Sequence, residues 1–338
     1  MRAAQNAQPF QSLQGVGMLL LRFRRVRAAA RPMLWGAVAV LACLAGAAVQ
    51  AGPLRDRMAQ HADEGLDDGA AEATSAAWRP PAPMRVLRDL PYGPHARQRM
   101  DVYLPPHPQG APVVFMVHGG AWKTGDKAMA RVVQHKVERW VPQGVVFVSV
   151  NYRLLPEAGP LVQVEDVARA LAEAQRLAPG WGADPQRFVA MGHSAGAHLV
   201  ALLAAQPALM QQQGARPVRA TVALDSAALD VPAVMQQRHL RLYDAAFGAD
   251  PAQWALASPV QQLRQATAPV LAVCSSRRRI ACGQAQRFAA QGRSLGMRVE
   301  VLPQDLSHRE TNEHLGLSGP YTESVEAFLR SVDAKMLP

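Results

Sequence analysis

Acidic residues are the scarce component of this chain. Its 338 residues carry 26 Asp and Glu against 36 Lys and Arg, a formal charge of +10. That surplus raises nucleic-acid binding, but its distribution argues against it. Arg2, Arg22, Arg24, Arg25, Arg27 and Arg31 lie in the first 31 residues with no acid among them, and the remainder is only mildly basic. The footprint expected of a nucleic-acid binder is therefore weak. Cysteine is scarcer still: Cys43, Cys274 and Cys282 are the whole complement. No His, Cys or Asp spacing resembles a metal site, and no internal repeat is present. Charged residues make up 18% against 49% hydrophobic, so the chain can bury a large core and is not globally disordered.

The basic head has a second meaning. It is followed by an uncharged apolar run, Pro32–Ala51, that ends in Val49, Gln50 and Ala51. A positive segment, an apolar segment and a small-residue ending describe a secretory signal peptide, and a start at Met18 would give the positive segment an ordinary length. The alternative is an uncleaved membrane anchor, since about 20 apolar residues span a bilayer. A lipoprotein at Cys43 is a third reading, on a poor lipobox, "VLAC". In each version the positive end stays inside and the bulk is exported. The expected location is periplasmic or secreted, with inner-membrane attachment if residues 1–51 are retained. Cys274 and Cys282 form an even pair in an oxidising compartment, which predicts a disulfide across 273–282; two unrelated buried thiols are the alternative.

Residues 52–83 mix charge, Ala and Pro and read as a flexible linker. The folded domain is expected at 84–338. Candidate strands are Arg85–Leu87, Met100–Tyr103, Val113–His118, Val145–Val150, Phe188–Met191, Ala220–Leu224, Val270–Cys274 and Arg298–Leu302. "PVVFMV" and "GVVFVSV" are continuous apolar runs, as in strands buried on both faces. Between the strands lie amphipathic patterns such as Val164, Val167, Ala168 and Leu171, and Gly296 offers a helix C-cap. Strand–helix alternation predicts an α/β fold, a mostly parallel sheet with helices on both faces. The first two strands suggest an antiparallel edge, and Val231–Pro259 an insertion or partial lid.

"FVAMGHSAGAHL" holds Gly192-His193-Ser194-Ala195-Gly196, a G-x-S-x-G between a strand and a helix, which is the context of a nucleophile elbow. The helix N-terminus behind Ser194 offers the Ala195 N–H and a dipole to a developing oxyanion. Upstream, His118-Gly119-Gly120-Ala121-Trp122 ends a strand, and its adjacent glycines let backbone N–H groups approach a ligand. Together with "YGPHARQRMDVYLP" and "NYRL", these motifs resemble the α/β-hydrolase esterase/lipase group with an HGG oxyanion motif, in its carboxylesterase and kynurenine-formamidase-like branch. The resemblance runs from about Val86 to the C-terminus. It implies an eight-stranded α/β-hydrolase fold and hydrolysis of a small-molecule ester without metal or organic cofactor. It implies Ser194 as nucleophile and Gly119, Gly120 and Ala195 as oxyanion donors. A formamide or amide hydrolase, and a weak or non-catalytic binding protein on the same scaffold, are the alternatives.

The fold's chain order of Ser, acid, His puts the base after the last strand, where His308 is favoured over His314. His193 and His198 read as packing or supporting residues. The acid is the open question. From Pro251 to Val299 there is no Asp or Glu, so the loop where the family usually carries its acid has none. Asp225 ends the preceding strand and is the first candidate. Asp305, three residues before His308, is the second, and a Ser-His dyad without an acid is the third. Asp230, Asp244 and Asp250 read as capping or solvated, and Glu300 as a strand residue. Arg277, Arg278 and Arg279 read as a solvated surface loop, the alternative being recognition of an acidic substrate by guanidinium forks.

Overall fold

The computed structural model of the protein describes residues 78–337. The signal or anchor expected at 1–51 and the linker through residue 77 lie outside the described residues. No helix among the described residues is long and apolar enough to cross a membrane.

Eight strands form one sheet: β1 (Arg85–Pro91), β2 (Arg99–Leu104), β3 (Ala111–Val117), β4 (Val146–Val150), β5 (Ala183–His193), β6 (Ala220–Leu224), β7 (Val270–Ser275) and β8 (Val299–Gln304). Their order is β1-β2-β4-β3-β5-β6-β7-β8. β1 pairs antiparallel with β2, and β2 with β4; β4, β3 and β5 to β8 run parallel. Each of the eight strands overlaps a strand expected from the sequence, and β1 runs on past its expected end at Leu87 to Pro91. β5 is longer than the run that announces it, because its first half, Ala183–Arg187, is polar and only Phe188 onward is buried throughout.

Among the described residues the α-helices are α1 (Ala130–Trp140), α2 (Pro160–Leu177), α3 (Ala195–Ala205), α4 (Pro207–Gln212), α5 (Val231–Met235), α6 (Arg241–Phe247), α7 (Pro251–Leu256), α8 (Pro259–Gln262), α9 (Ala281–Ser294), α10 (Glu310–Glu313) and α11 (Pro320–Val332). Successive side chains of a strand point to opposite faces. In β3, Val113, Phe115 and Val117 join one core with α2 and α3, while Val114 and Met116 join a second core with α1 and α11. Every residue of β3 is buried, and each large apolar side chain contributes about 1.5–3 kcal/mol on leaving water. α3 is apolar on all sides and all eleven of its residues are buried. The sheet and this helix thus hold rigid the turn between β5 and α3.

The predicted insertion, Val231–Pro259, folds as a run of short helices. Asp230 and Asp250 cap α5 and α7 through Ala233 N–H and Ala252 N–H, and Ser258 caps α8. Asp244 pairs with His239. Gly296 closes α9 with φ +76°, its N–H donating to Arg293 O at 3.0 Å. The described chain begins at Trp78, whose indole stands against Tyr103 with centroids 6.0 Å apart and donates to Glu138 at 2.9 Å.

Candidate active site

Three loops at the carboxyl ends of the parallel strands meet at Ser194. The first is the turn from β5 to α3. Ser194 has φ 55° and ψ −117°, a left-handed conformation that a side-chain-bearing residue adopts only where its surroundings compel it. The compulsion is close packing. A Cβ on Gly196 would lie 2.2 Å from Val117 O and 2.5 Å from His118 O, so the sharp turn requires glycine there. Ser194 N–H donates to Leu224 O at 2.9 Å, extending the β5–β6 ladder into the turn.

The second loop follows β3. Gly119 runs so near the turn that a Cβ on it would meet Ser194 Cβ at 2.9 Å and His193 O at 3.0 Å. Beyond it, Gly120, Ala121 and Trp122 all have positive φ, 113°, 51° and 60°. The loop is held from below. His118 is fully buried, and its Nδ1 lies 2.7 Å from Gly119 O. That contact requires Nδ1–H as donor, the neutral tautomer, and burial pushes the His118 pKa down to about 4. Tyr152 stacks on His118 with centroids 4.5 Å apart and donates its hydroxyl to His118 O at 2.9 Å. Its neighbours in "NYRL" work alongside it. Asn151 Oδ1 accepts Lys127 N–H at 2.7 Å, and Arg153 forks onto the buried Asp166 at 2.7 and 2.8 Å.

Trp122 packs edge-on against His198 and Phe247 and tilts against Tyr243. Its Nε1–H donates to His198 Nδ1 at 3.2 Å. His198 Nε2–H in turn donates to Ala257 O at 2.7 Å. This chain joins the Gly119–Trp122 loop to the insertion. Burial lowers the His198 pKa to about 4, in keeping with a neutral imidazole in both contacts.

The third loop follows β8. His308 Nε2 lies 2.9 Å from Ser194 Oγ. His308 Nδ1 lies 2.7 Å from Asp225 Oδ2, at the end of β6. The loop is pinned through the His308 carbonyl, which accepts Thr311 Oγ1–H at 2.7 Å and His193 Nε2–H at 2.9 Å. His193 is buried against the His308 ring, centroids 4.6 Å apart. Burial first, then the neighbouring His308, hold its pKa well below the ordinary range.

Asp225 is completely buried and has φ 55°. Its Oδ1 accepts Ser275 N–H at 2.8 Å; its Oδ2 takes His308 Nδ1 and Arg278 Nη1, the latter at 2.8 Å. Burial alone would raise its pKa. The Arg278 charge, the His308 hydrogen bond and the Ser275 N–H outweigh burial and hold the carboxyl well below the usual carboxylate range. Asp305 is elsewhere: it is exposed and ion-paired with Arg277 at 2.8 Å. His314 ends α10, and Glu300 pairs with Arg298 on the surface.

The reading of the three arginines as one solvated loop is corrected. Arg277 is exposed and pairs with Asp305 and Glu310. Arg278 is 6% exposed, drawn inward by a buried carboxylate that a water-exposed partner could not neutralise. Arg279 faces a cavity of about 330 Å³ that Ala227, Arg238, Tyr243, Gln284 and Arg287 also line. The sequence held one signal for Arg278. In a stretch without acids, a buried arginine must find its counter-charge far along the chain. The expected disulfide between Cys274 and Cys282 is present and closes the loop that carries all three.

An eight-stranded, mostly parallel sheet with helices on both faces and a strand–serine–helix turn at its carboxyl edge is the α/β-hydrolase fold. The BD-FAE family model matches residues 100–289, and the chain belongs to that family. It is 31% identical over 131 residues to a probable isoprenylcysteine alpha-carbonyl methylesterase of Oryza sativa subsp. japonica, covering 38% of this chain and 31% of that one. It is 33% identical over 168 residues to the probable carboxylic ester hydrolase LipM of Mycobacterium tuberculosis, covering 43% and 38%. The matches thus span about a third of these relatives' length. Among solved structures, esterase B from Lactobacillus rhamnosis superposes with a TM-score of 0.64 at 19% identity, covering 84% of this chain and 95% of that one.

Proposed function

We propose that this protein is a serine hydrolase that cleaves carboxylic esters through an acyl-enzyme on Ser194. The observation that carries the reading is the unbroken chain Ser194 Oγ–His308 Nε2–His308 Nδ1–Asp225 Oδ2, at 2.9 and 2.7 Å. Nδ1–H donates to the carboxylate, which leaves Nε2 with its lone pair toward Ser194. The base takes the hydroxyl proton as Oγ attacks the ester carbonyl carbon. The N–H groups of Gly119, Gly120 and Ala195 would receive the oxyanion, a role supported by the approach of Gly119 to Ser194. Collapse of the tetrahedral intermediate breaks the ester C–O bond, and the imidazolium protonates the departing alcohol. A water, deprotonated by His308, then attacks the acyl carbon and releases the acid and Ser194. Asp225 orients the imidazole and stabilises its charged form. The names of the relatives, a methylesterase and a carboxylic ester hydrolase, favour an ester over an amide. Export of the folded domain at 84–338 belongs to the same proposal and is supported by the disulfide and by the signal-like N-terminus.

The test is labelling by a fluorophosphonate together with turnover of a short p-nitrophenyl ester and of N-formylkynurenine. The expected result is labelling at Ser194, abolished in Ser194→Ala, and faster turnover of the ester. Faster turnover of N-formylkynurenine would make it a formamidase. An unlabelled, folded protein would make it a binding protein.

A further inference from the structure

We propose that Arg278 is a positioning residue of this site, one that fixes the Asp225 carboxylate and keeps His308 in its base-competent neutral form; the inference rests on the reading of His308 as the base. The loop closed by Cys274 and Cys282 grips both carboxylate oxygens. Ser275 N–H takes Oδ1 at 2.8 Å. Arg278 Nη1 takes Oδ2 at 2.8 Å and the Asp225 main-chain oxygen at 3.1 Å. The carboxylate plane is thereby set from this loop before His308 adds its own bond. Ser275 Oγ–H also donates to Leu306 O, which ties the same loop to the segment carrying His308.

Arg278 Nη1 stands 2.9 Å from His308 Nδ1 as well. The two nitrogens cannot both donate along that line. A bare Nδ1 would accept from the guanidinium but would turn its lone pair on the carboxylate 2.7 Å away. A protonated Nδ1 donates to Asp225 and leaves the guanidinium beside the ring as a fixed positive charge. The second arrangement is electrostatically favoured, and it leaves Nε2 free to accept from Ser194. It also has a cost for the imidazolium. A cation within about 4 Å at low exposure opposes a second proton on the ring by far more than a surface charge does.

The groups facing His308 are few. Asp225 favours the charged ring and Arg278 opposes it. His193, from the elbow, is buried and neutral. Beyond His193 lies Lys136 of α1, buried and donating to Asn312 O at 2.7 Å. Tyr321 of α11 donates its hydroxyl to Thr311 O. Arg309 and Glu310, beside His308 in sequence, pair outward with Glu313 and Arg277. Among the described residues, Arg278 is the cation in hydrogen-bond range of the ring.

The experiment compares the native full-length protein with Arg278→Met, a neutral side chain of similar reach, and Arg278→Lys, which keeps the charge. The first readout is the NMR titration of the His308 Cε1–H, assigned by its loss in His308→Gln. The second is the pH dependence of fluorophosphonate labelling. In Arg278→Met the titration midpoint and the acidic limb should move up together by about one pH unit or more, a tenfold change in proton affinity. Labelling at neutral pH should slow at least tenfold. Arg278→Lys should keep the native midpoint yet label more slowly, because the shorter lysine side chain cannot carry its ammonium to the point where Nη1 meets both Oδ2 and the main-chain oxygen. A native midpoint in folded Arg278→Met overturns the proposal, as does a midpoint raised by a unit in folded Arg278→Lys, which decides the matter if the Met variant does not fold. The titration needs no turnover. A protein whose His308 midpoint responds to the Arg278 variants as expected but whose serine is not labelled would refute the hydrolase reading while leaving the coupling of Arg278 to His308 in place.

Discussion

Acidification from pH 7 to 5 should destabilise this protein through two histidines on which the Gly119–Trp122 loop is built. His118 and His198 are completely buried, and burial lowers each to a pKa of about 4. In the unfolded chain each titrates near 6.5. Between those values the unfolded state binds more protons than the folded one, so stability is present above about pH 6.5 and is lost as pH falls toward 4. Integrating from pH 7 to 5 gives a loss of about 2 kcal/mol for each, about 4 kcal/mol together. Lys136, lowered by burial to about 7, adds a few tenths of a kcal/mol in the same direction. His193, also depressed, adds to it. His239 at the surface opposes weakly: burial lowers it, but the hydrogen bonds to Asp244 and Gln237 and the Asp244 charge together raise it more. The carboxylates held low, such as Asp225, act only below this window. Urea unfolding at pH 7 and 5, followed by fluorescence, measures the loss directly, and thermal melts should fall by roughly 10 °C. His198→Gln can keep both hydrogen bonds, accepting from Trp122 and donating to Ala257 O, while removing the titrating group. It should reduce the loss by about 2 kcal/mol. Equal stability at the two pH values, or an unaltered loss in His198→Gln, would refute the reasoning.

Asp225→Asn should lower kcat by about 10⁴-fold, because an amide that donates to Nδ1 selects the wrong imidazole tautomer; a rate within tenfold of native would return the site to a dyad. Tyr152→Phe removes the hydroxyl that supports His118 O and should cost about 1–2 kcal/mol of stability with a fall in kcat larger than any change in KM, read from steady-state kinetics and urea melts. Arg277→Ala, at an exposed pair, should leave both stability, read from urea melts, and rate close to native. Whether the cavity lined by Arg238, Arg279 and Arg287 receives the acyl chain is tested by a substrate whose acyl chain ends in a carboxylate. Mono-p-nitrophenyl succinate should show a KM several-fold below that of the butyrate, a preference lost in Arg238→Gln/Arg287→Gln; equal KM values in the native protein would reject it.

Much of this molecule is legible in its sequence because strands buried on both faces need continuous apolar runs, and "PVVFMV" and "GVVFVSV" supply them. The elbow is legible because its local context, strand then serine then helix, is itself the signal. Asp225 was reachable by elimination along an acid-poor stretch. What stayed hidden depended on contacts between distant segments. Arg277, Arg278 and Arg279 are indistinguishable as neighbours in sequence, yet one pairs with Asp305, one is buried on Asp225 and one faces a cavity. Their fates follow from the placement of β6, β7 and the loop after β8, which no local window contains. The polar first half of β5 was hidden for the same reason, since its pairing of Ala183 with Ala111 leaves no apolar period.

The disulfide ring has a consequence for engineering. Cys274 and Cys282 are eight positions apart and their Cα atoms lie 5.1 Å from each other, so the ring has a fixed circumference with Arg278 at its midpoint. One inserted residue would displace the guanidinium's attachment point by up to about 3.5 Å, more than the length of any hydrogen bond it makes to Asp225. The spacing of this ring is therefore as much a part of the site as the residues within it. Redesign of the adjoining cavity has to proceed by substitution at lining positions such as Arg279, never by lengthening the loop.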